Sequence, residues 1–321
     1  MRYTRPSGTL PSEDTVRRNT IWTCLLAAIA ALPCRPAGAE TQVGPHEYCG
    51  TNIPPDEAKG FVPLPEGDVF CPLLADPKAA HSYMAYVRGT SNSALGTDLA
   101  SVGIGDRFNI SRWNAQHAGN GVQIGLEGAV FSQFDLNSQS QDLLNADYVL
   151  GLPITWRWRG LSGRLRPYHQ SSHLGDEFVL RSRIPRENFS FEAGEGILSF
   201  DAGPLRLYGG GEYLFHSLPR KLASWVVHGG MELRQRQGAL RLGDFASARL
   251  VAGGDVKSVE YINWETGVSA VAGIEFSRPR EGGHAVRPWS LLGHYYTGPA
   301  PYSQFYQSNI EYYGVGLHFA F

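Results

Sequence analysis

The sequence predicts an all-β protein: a transmembrane antiparallel β-barrel of about 12 strands, preceded by an irregular N-terminal segment. Three observations carry this expectation. The chain opens with an export signal, it closes with a strand that alternates apolar and small or polar residues, and alternating segments with turn residues between them recur along its length.

The export signal comes first. Arg17 and Arg18 supply a basic start, residues 21–32 (IWTCLLAAIAAL) an apolar run, and Ala37-Gly38-Ala39 a small-x-small cleavage pattern. Cleavage is expected after Ala39, which removes residues 1–39 from the fold. The run is shorter than the roughly 20 apolar residues of a helical span. A twin-arginine signal fits the residues after Arg18 poorly, and Pro33 sits where a lipoprotein signal ending at Cys34 needs a small residue.

At the other end, Tyr313, Val315, Leu317, Phe319 and Phe321 alternate with Tyr312, Gly314, Gly316, His318 and Ala320. One face is continuously apolar, as a strand with lipid on one side requires. A last strand ending on a phenylalanine resembles the terminal signature of bacterial outer-membrane barrels. The resemblance implies recognition by the outer-membrane assembly machinery through Phe321.

Composition narrows the class. Among 321 residues, 42% are hydrophobic and the net charge is −2, and no apolar run beyond the signal is long enough for a membrane helix. So balanced a chain has no basic footprint for nucleic acid. Thirty-eight glycines and 12% aromatics suit tight turns and an aromatic girdle. Of four cysteines, Cys24 and Cys34 leave with the signal. Cys49 and Cys71 remain, most simply as a disulfide, which would contribute ~3 kcal/mol by closing a short loop. Their spacing matches none of the usual zinc or thioredoxin patterns. The Pro- and Gly-rich residues 40–76 are expected to form a disulfide-closed cap, with the barrel over residues 77–321.

Twelve strands are expected, at 80–88, 98–109, 120–132, 146–158, 161–171, 188–200, 204–215, 223–235, 246–257, 263–277, 286–297 and 309–321. Their length suits a tilted membrane strand of about 10 residues. Turns such as RWRGLSGR and DAGP are tight, whereas the connections containing NSQSQDLL, HLGDEFVLRS and GPAPYSQF are longer, as periplasmic and outer ends should differ. Alternation places Tyr148, Leu150, Leu152, Ile154, Trp156 and Trp158 outward. It places Glu127, Arg164, Arg166, Arg206, Glu212, Glu232 and Glu275 inward, in a salt-bridged lumen. The glycines of YGGGEYLFH read as relief of crowding within a strand, since no helix follows to make a phosphate loop. Tyr295, Tyr296, Tyr302, Phe305 and Tyr306 read as an aromatic belt at the outer interface, with a saccharide-stacking surface as the alternative.

The chemistry-bearing stretch is RLRPYHQSSHLGDEFVLR, residues 164–181. Alternation turns Arg164, Arg166, Tyr168 and Gln170 inward and His169, Ser171 and His173 outward, at the outer-leaflet end of a rising strand. A serine hydroxyl becomes a useful nucleophile when a neighbouring imidazole takes its proton, and a third group usually orients the imidazole. Ser171 is the candidate nucleophile and His169 the base. Asn188 is the candidate third group, with Asp176, Glu177, Glu192 and His173 as alternatives.

This His-x-Ser pattern on an outward barrel face resembles outer-membrane phospholipase A and the lipid A deacylases. The resemblance implies a serine-dependent acyl-ester hydrolase acting on outer-membrane phospholipid or lipopolysaccharide. The loop after Ser171 is longer than in those enzymes, so the third residue does not carry over position by position. VFCPLLADP, QFDLNSQSQDLLNADYVLGLP, YHQSSHLGDEF, YGGGEYLFH and YSQFY…EYYGVGLHF are more broadly similar to the family called domain of unknown function 1207, over residues 69–321. That likeness implies an outer-membrane barrel and supplies no activity. The sequence demands no cofactor; a divalent cation such as calcium and a homodimer are both compatible with it. The competing expectation is a non-enzymatic barrel: a small-solute channel, a lipid binder or an assembly protein.

Overall fold

The computed structural model describes residues 59–319, except 91–96, 116–118, 184–187, 220–221, 223–224, 236–239, 243–245 and 278–287. The expected signal, Cys49 and Phe321 therefore lie outside the described residues. Strands β1 (Gly60–Pro63), β2 (Ser82–Gly89), β3 (Asp98–Asn114) and β4 (Gly121–Asp135) are followed by β5 (Leu143–Gly151), β6 (Ile154–Trp158) and β7 (Leu161–Leu174). Helix α1 (Asp176–Ser182) precedes β8 (Phe189–Ala202), β9 (Leu205–Leu218), β10 (Trp225–Arg234) and β11 (Leu240–Leu242). Then come β12 (Ala246–Val259), β13 (Glu265–Ser277), β14 (Trp289–Pro299) and β15 (Asn309–Phe319).

Each strand pairs antiparallel with its neighbours, and β15 pairs with β2, so the sheet closes on itself. Closure leaves no unpaired edge in contact with lipid. The wall holds 12 strands, because β5 and β6 occupy one position between β4 and β7. Pro153, which has no N–H to give the ladder, separates them. The described parts of all twelve expected segments fall on wall positions.

The alternation sorts the side chains as the sequence implies. Tyr313, Val315, Leu317, Phe319, Leu150 and Leu152 are exposed on the outside. Glu127, Arg164, Arg166, Arg206, Glu212, Glu232 and Glu275 are each no more than 5% exposed. A cation at mid-membrane on the lipid face would cost ~2–4 kcal/mol, so this sorting decides which way the sheet curls. Exposed Trp113, Trp158 and Trp289 mark one end of the wall, and Trp225 and Trp264 the other. Two-residue turns at 159–160 and 203–204 sit at the first end, built on positive φ at Arg159 and Gly203. Gly210 lets β9 approach β8: a Cβ there would lie 2.1 Å from the Gly196 carbonyl oxygen.

The lumen is filled by more than wall side chains. β1 extends the sheet beside the end of β3, and residues 68–80 then run inside the barrel. Part of the segment expected as a cap thus lies within the wall. Phe70 is fully buried between two guanidinium groups, Arg164 at 5.1 Å and Arg206 at 4.8 Å from its ring centre. The irregular backbone of this segment takes several of its hydrogen bonds from the wall. Arg157 donates to the Val69 carbonyl (2.6 Å) and Arg206 to that of Cys71 (3.1 Å), while the Leu74 N–H donates to Glu232 (2.7 Å). Lys78 pairs with Asp147 and Lys257 with Asp76 (3.6 Å). Cys71 is fully buried in the same segment.

The outer end is covered by α1 and by residues 300–308. Phe178 of α1 packs edge-on against Phe305, in a buried cluster with Leu144, Tyr296, Tyr302 and Ile310. Tyr296, Tyr302 and Phe305 are therefore core residues, which corrects the expectation of an aromatic belt. Tyr302 and Phe305 lie in the segment that folds over the lumen, where period-two reasoning does not apply, whereas Tyr296 is an inward position of β14 itself. Arg181 fastens α1 to Asp135 and Asp142, both at 2.9 Å. The Ser140 hydroxyl, with Arg181, holds the Asp142 carboxyl below its usual range.

Candidate active site on the lipid-facing wall

β7 carries the expected catalytic pair. Arg164, Arg166, Tyr168, Gln170 and Ser172 point inward and are buried, which forces His169, Ser171 and His173 outward. The buried residues fix the strand's rotation. Arg164 donates to Glu195 at 2.6 and 3.1 Å, Arg166 pairs with Glu127 and Glu195, and Ser172 donates to Asp147. A register slip of one residue would put two arginines into lipid.

On the outer face His169 opposes Glu192 of β8, and Ser171 opposes Ser190. His169 Nδ1 lies 2.9 Å from Glu192 Oε1, with side chains 47% and 39% exposed. The other carboxylate oxygen lies 2.6 Å from Nδ1 of His216 on β9. Glu192 thus holds two imidazoles, leaving His169 Nε2 free of it. Ser171 stands two residues further along the same face, flanked by Tyr148 of β5. No hydrogen bond joins Ser171 to His169 among the described residues. Their placement side by side on a pleat supplies proximity; alignment would come with substrate.

Of the candidate third groups, Glu192 is the one in contact with His169. Asn188 is exposed and immediately precedes β8, beyond the Ser172–Phe189 pair. Asp176 and Glu177 open α1. His173 continues the outward face and meets the Tyr148 ring edge-on at 5.9 Å. His216 was not expected at the site. Strict alternation along β9 places it inward beside outward Phe215, yet both are exposed. The cause is a bulge: the ladder steps from Glu192–His216 to Ala193–Leu214 and skips Phe215. Nothing in the sequence announces that extra residue.

An open apolar depression leads away from His169 across the outer face, lined by Ile104, Gly128, Val130, Tyr148 and Leu150. Its floor is low because Gly128 has no side chain, and a Cβ built there would meet nothing within 4 Å. Among the described residues Ser171, its cross-strand partner Ser190 and Glu192 bring oxygen atoms to this face, and a calcium ion held by these would need water to complete its shell.

The backbone is similar to bacterial outer-membrane barrels. Similar structures include the calcium-bound outer membrane phospholipase dimer of Salmonella typhi (15% identity, TM-score 0.47, 74% of this chain and 90% of that one). Outer membrane phospholipase A from Escherichia coli gives 14% identity and a TM-score of 0.48, over 76% of this chain and 92% of that one. The KdgM porin gives 10% and 0.36, over 74% and 99%. Among curated proteins none matches the sequence. Residues 36–321 match the family described as protein of unknown function DUF1207, and the chain belongs to that family.

Proposed function

We propose that this barrel is a serine-dependent acyl-ester hydrolase of outer-membrane lipid, with Ser171 as nucleophile, His169 as base and Glu192 as the group that orients the base. The observation that carries this reading is the cross-strand contact of His169 Nδ1 with Glu192 Oε1, 2.9 Å long, on the face that meets lipid. With Nδ1–H given to the carboxylate, Nε2 keeps its lone pair and can take the Ser171 proton as the hydroxyl attacks the ester carbonyl. The tetrahedral adduct expels the alcohol, which receives that proton from the imidazolium. Water then repeats the sequence on the acyl-serine and releases the fatty acid.

Depth supports the same reading. A tilted strand climbs ~2.5 Å of membrane height per residue. His169 is eight residues beyond Leu161, the first of β7, so it stands ~20 Å up an apolar band ~25 Å tall. That is the level of lipid ester groups, and the Gly128 depression offers an acyl chain a path beside it. The filled lumen weighs against a solute channel.

The test is fatty-acid release from phospholipid and, separately, from lipopolysaccharide, by the full chain refolded in detergent, with calcium and with a chelator. Ser171→Ala and His169→Ala are expected to abolish release while migrating on gels like the wild type before and after boiling. Glu192→Gln should lower kcat about tenfold, the lower end for losing one charge-assisted hydrogen bond at a half-exposed site. Absence of release from both lipids, in calcium and in chelator, would overturn the proposal.

A further inference from the structure

Inside the barrel, Glu195 of β8 and Glu212 of β9 are directly opposed cross-strand partners, both buried. Like charges so placed repel, and something must hold them. His228 of β10 completes a trio, with one ligand atom from each residue lying within 4.8 Å of the others. The His228 side chain is 0% exposed, and among the described residues neither ring nitrogen has a hydrogen-bond partner. The Asp255 carboxylate lies 3.5 Å from Nδ1. A buried imidazole without a hydrogen bond is costly, and here it is aimed at two carboxylates.

We propose that Glu195, Glu212 and His228 bind a divalent first-row transition cation, pinning β8, β9 and β10 together. One imidazole and two carboxylates suit zinc-class ions, whose sites take three protein ligands and leave a position for water. The groups already on the carboxylates fit the outer shell of such a site. Arg164 and Arg166 donate to Glu195, and Tyr168 and Lys257 (3.3 Å) donate to Glu212, each using only part of the acceptor capacity of an ionised carboxylate. Charge points the same way. The group linked by these contacts holds the carboxylates Asp68, Asp76, Glu127, Glu195, Glu212 and Asp255 against the cations Arg107, Arg164, Arg166 and Lys257. Six carboxylates against four cations leave two negative charges for a dication to balance. Glu212 also lines the cavity between residues 76–78 and the outer loops, which gives an ion a way in.

This site is independent of the lipid-facing one, and the experiment must separate them, because His169, Glu192 and His216 also offer metal ligands. The full chain, refolded in detergent and stripped with chelator, is titrated with Zn²⁺ alone and assayed for metal content after desalting. The expected result is one retained equivalent per chain and a higher denaturant midpoint with metal than without. Both should persist in the Glu192→Gln, His216→Ala double variant, and His228→Gln or Glu212→Gln should weaken uptake at least tenfold. Should either lumen variant fail to fold, Co²⁺ added to the double variant serves instead, by giving the visible absorption of an ion with a nitrogen ligand. Failure of the double variant to retain Zn²⁺, or to give the Co²⁺ absorption, would overturn the proposal. So would full uptake by folded His228→Gln.

Discussion

The placement of His169 at the height of lipid esters can be measured by an arginine series along β7. Leu161, Leu165 and His169 share its outward face, and Leu165 is 57% exposed. At ~2.5 Å of height per residue, Leu165 stands ~10 Å and His169 ~20 Å above Leu161. With Leu161 at the lower border of a band ~25 Å tall, Leu165 is close to the midplane and His169 close to the upper border. Arginine should then cost ~2–4 kcal/mol at 165, but only ~0–1 kcal/mol at 161 and 169. The assay is reversible urea unfolding from lipid vesicles, followed by tryptophan fluorescence, with each variant compared at equal denaturant dependence. The middle position should fall out of line with its two neighbours. Equal costs at all three would mean that this face does not meet hydrocarbon. A cost rising steadily to His169 would put the Ser171 hydroxyl too deep for lipid esters, and the hydrolase reading would lose its geometry.

Two further perturbations probe the groove and the lumen. Gly128→Leu fills the depression from a position where a Cβ meets nothing within 4 Å, so release of long acyl chains should fall severalfold more than hydrolysis of a short-chain ester; equal losses would mean that the groove holds no chain. Phe70→Ala should cost ~3–5 kcal/mol in the same unfolding assay, as the loss of a fully buried aromatic does elsewhere. A cost below ~1 kcal/mol would mean that the internal segment contributes little to stability.

The wall was legible in the sequence because membrane strands obey a two-residue period imposed by lipid on one side. Leu165 and Arg166 are neighbours in sequence and opposites in environment, one exposed on the outer face and the other buried in the lumen. The outward pair His169 and Ser171 followed from the same rule. Where the rule lapses, the sequence falls silent. His216 reaches Glu192 through a bulge, an event of backbone geometry that leaves composition unchanged. Residues 68–80 have little periodicity because their backbone is held by individual contacts: Arg157, Arg206 and Glu232 receive carbonyls and an amide that no side-chain pattern foretells. Glu195 and His228 were hidden for a different reason. Inward charges on a barrel ordinarily neutralise one another, and only distances reveal an imidazole that has been left out.

The internal segment also constrains the order of events by which this protein is made. It precedes every wall strand in the chain, and the seam that seals the cylinder joins the earliest wall strand to the last. A cork threaded so intimately through a dozen staves is unlike one pushed into a finished bottle. The guanidinium groups that clasp Phe70 give the staves something to gather on. Once the seam is zipped, withdrawing the cork means breaking those clasps within a closed wall.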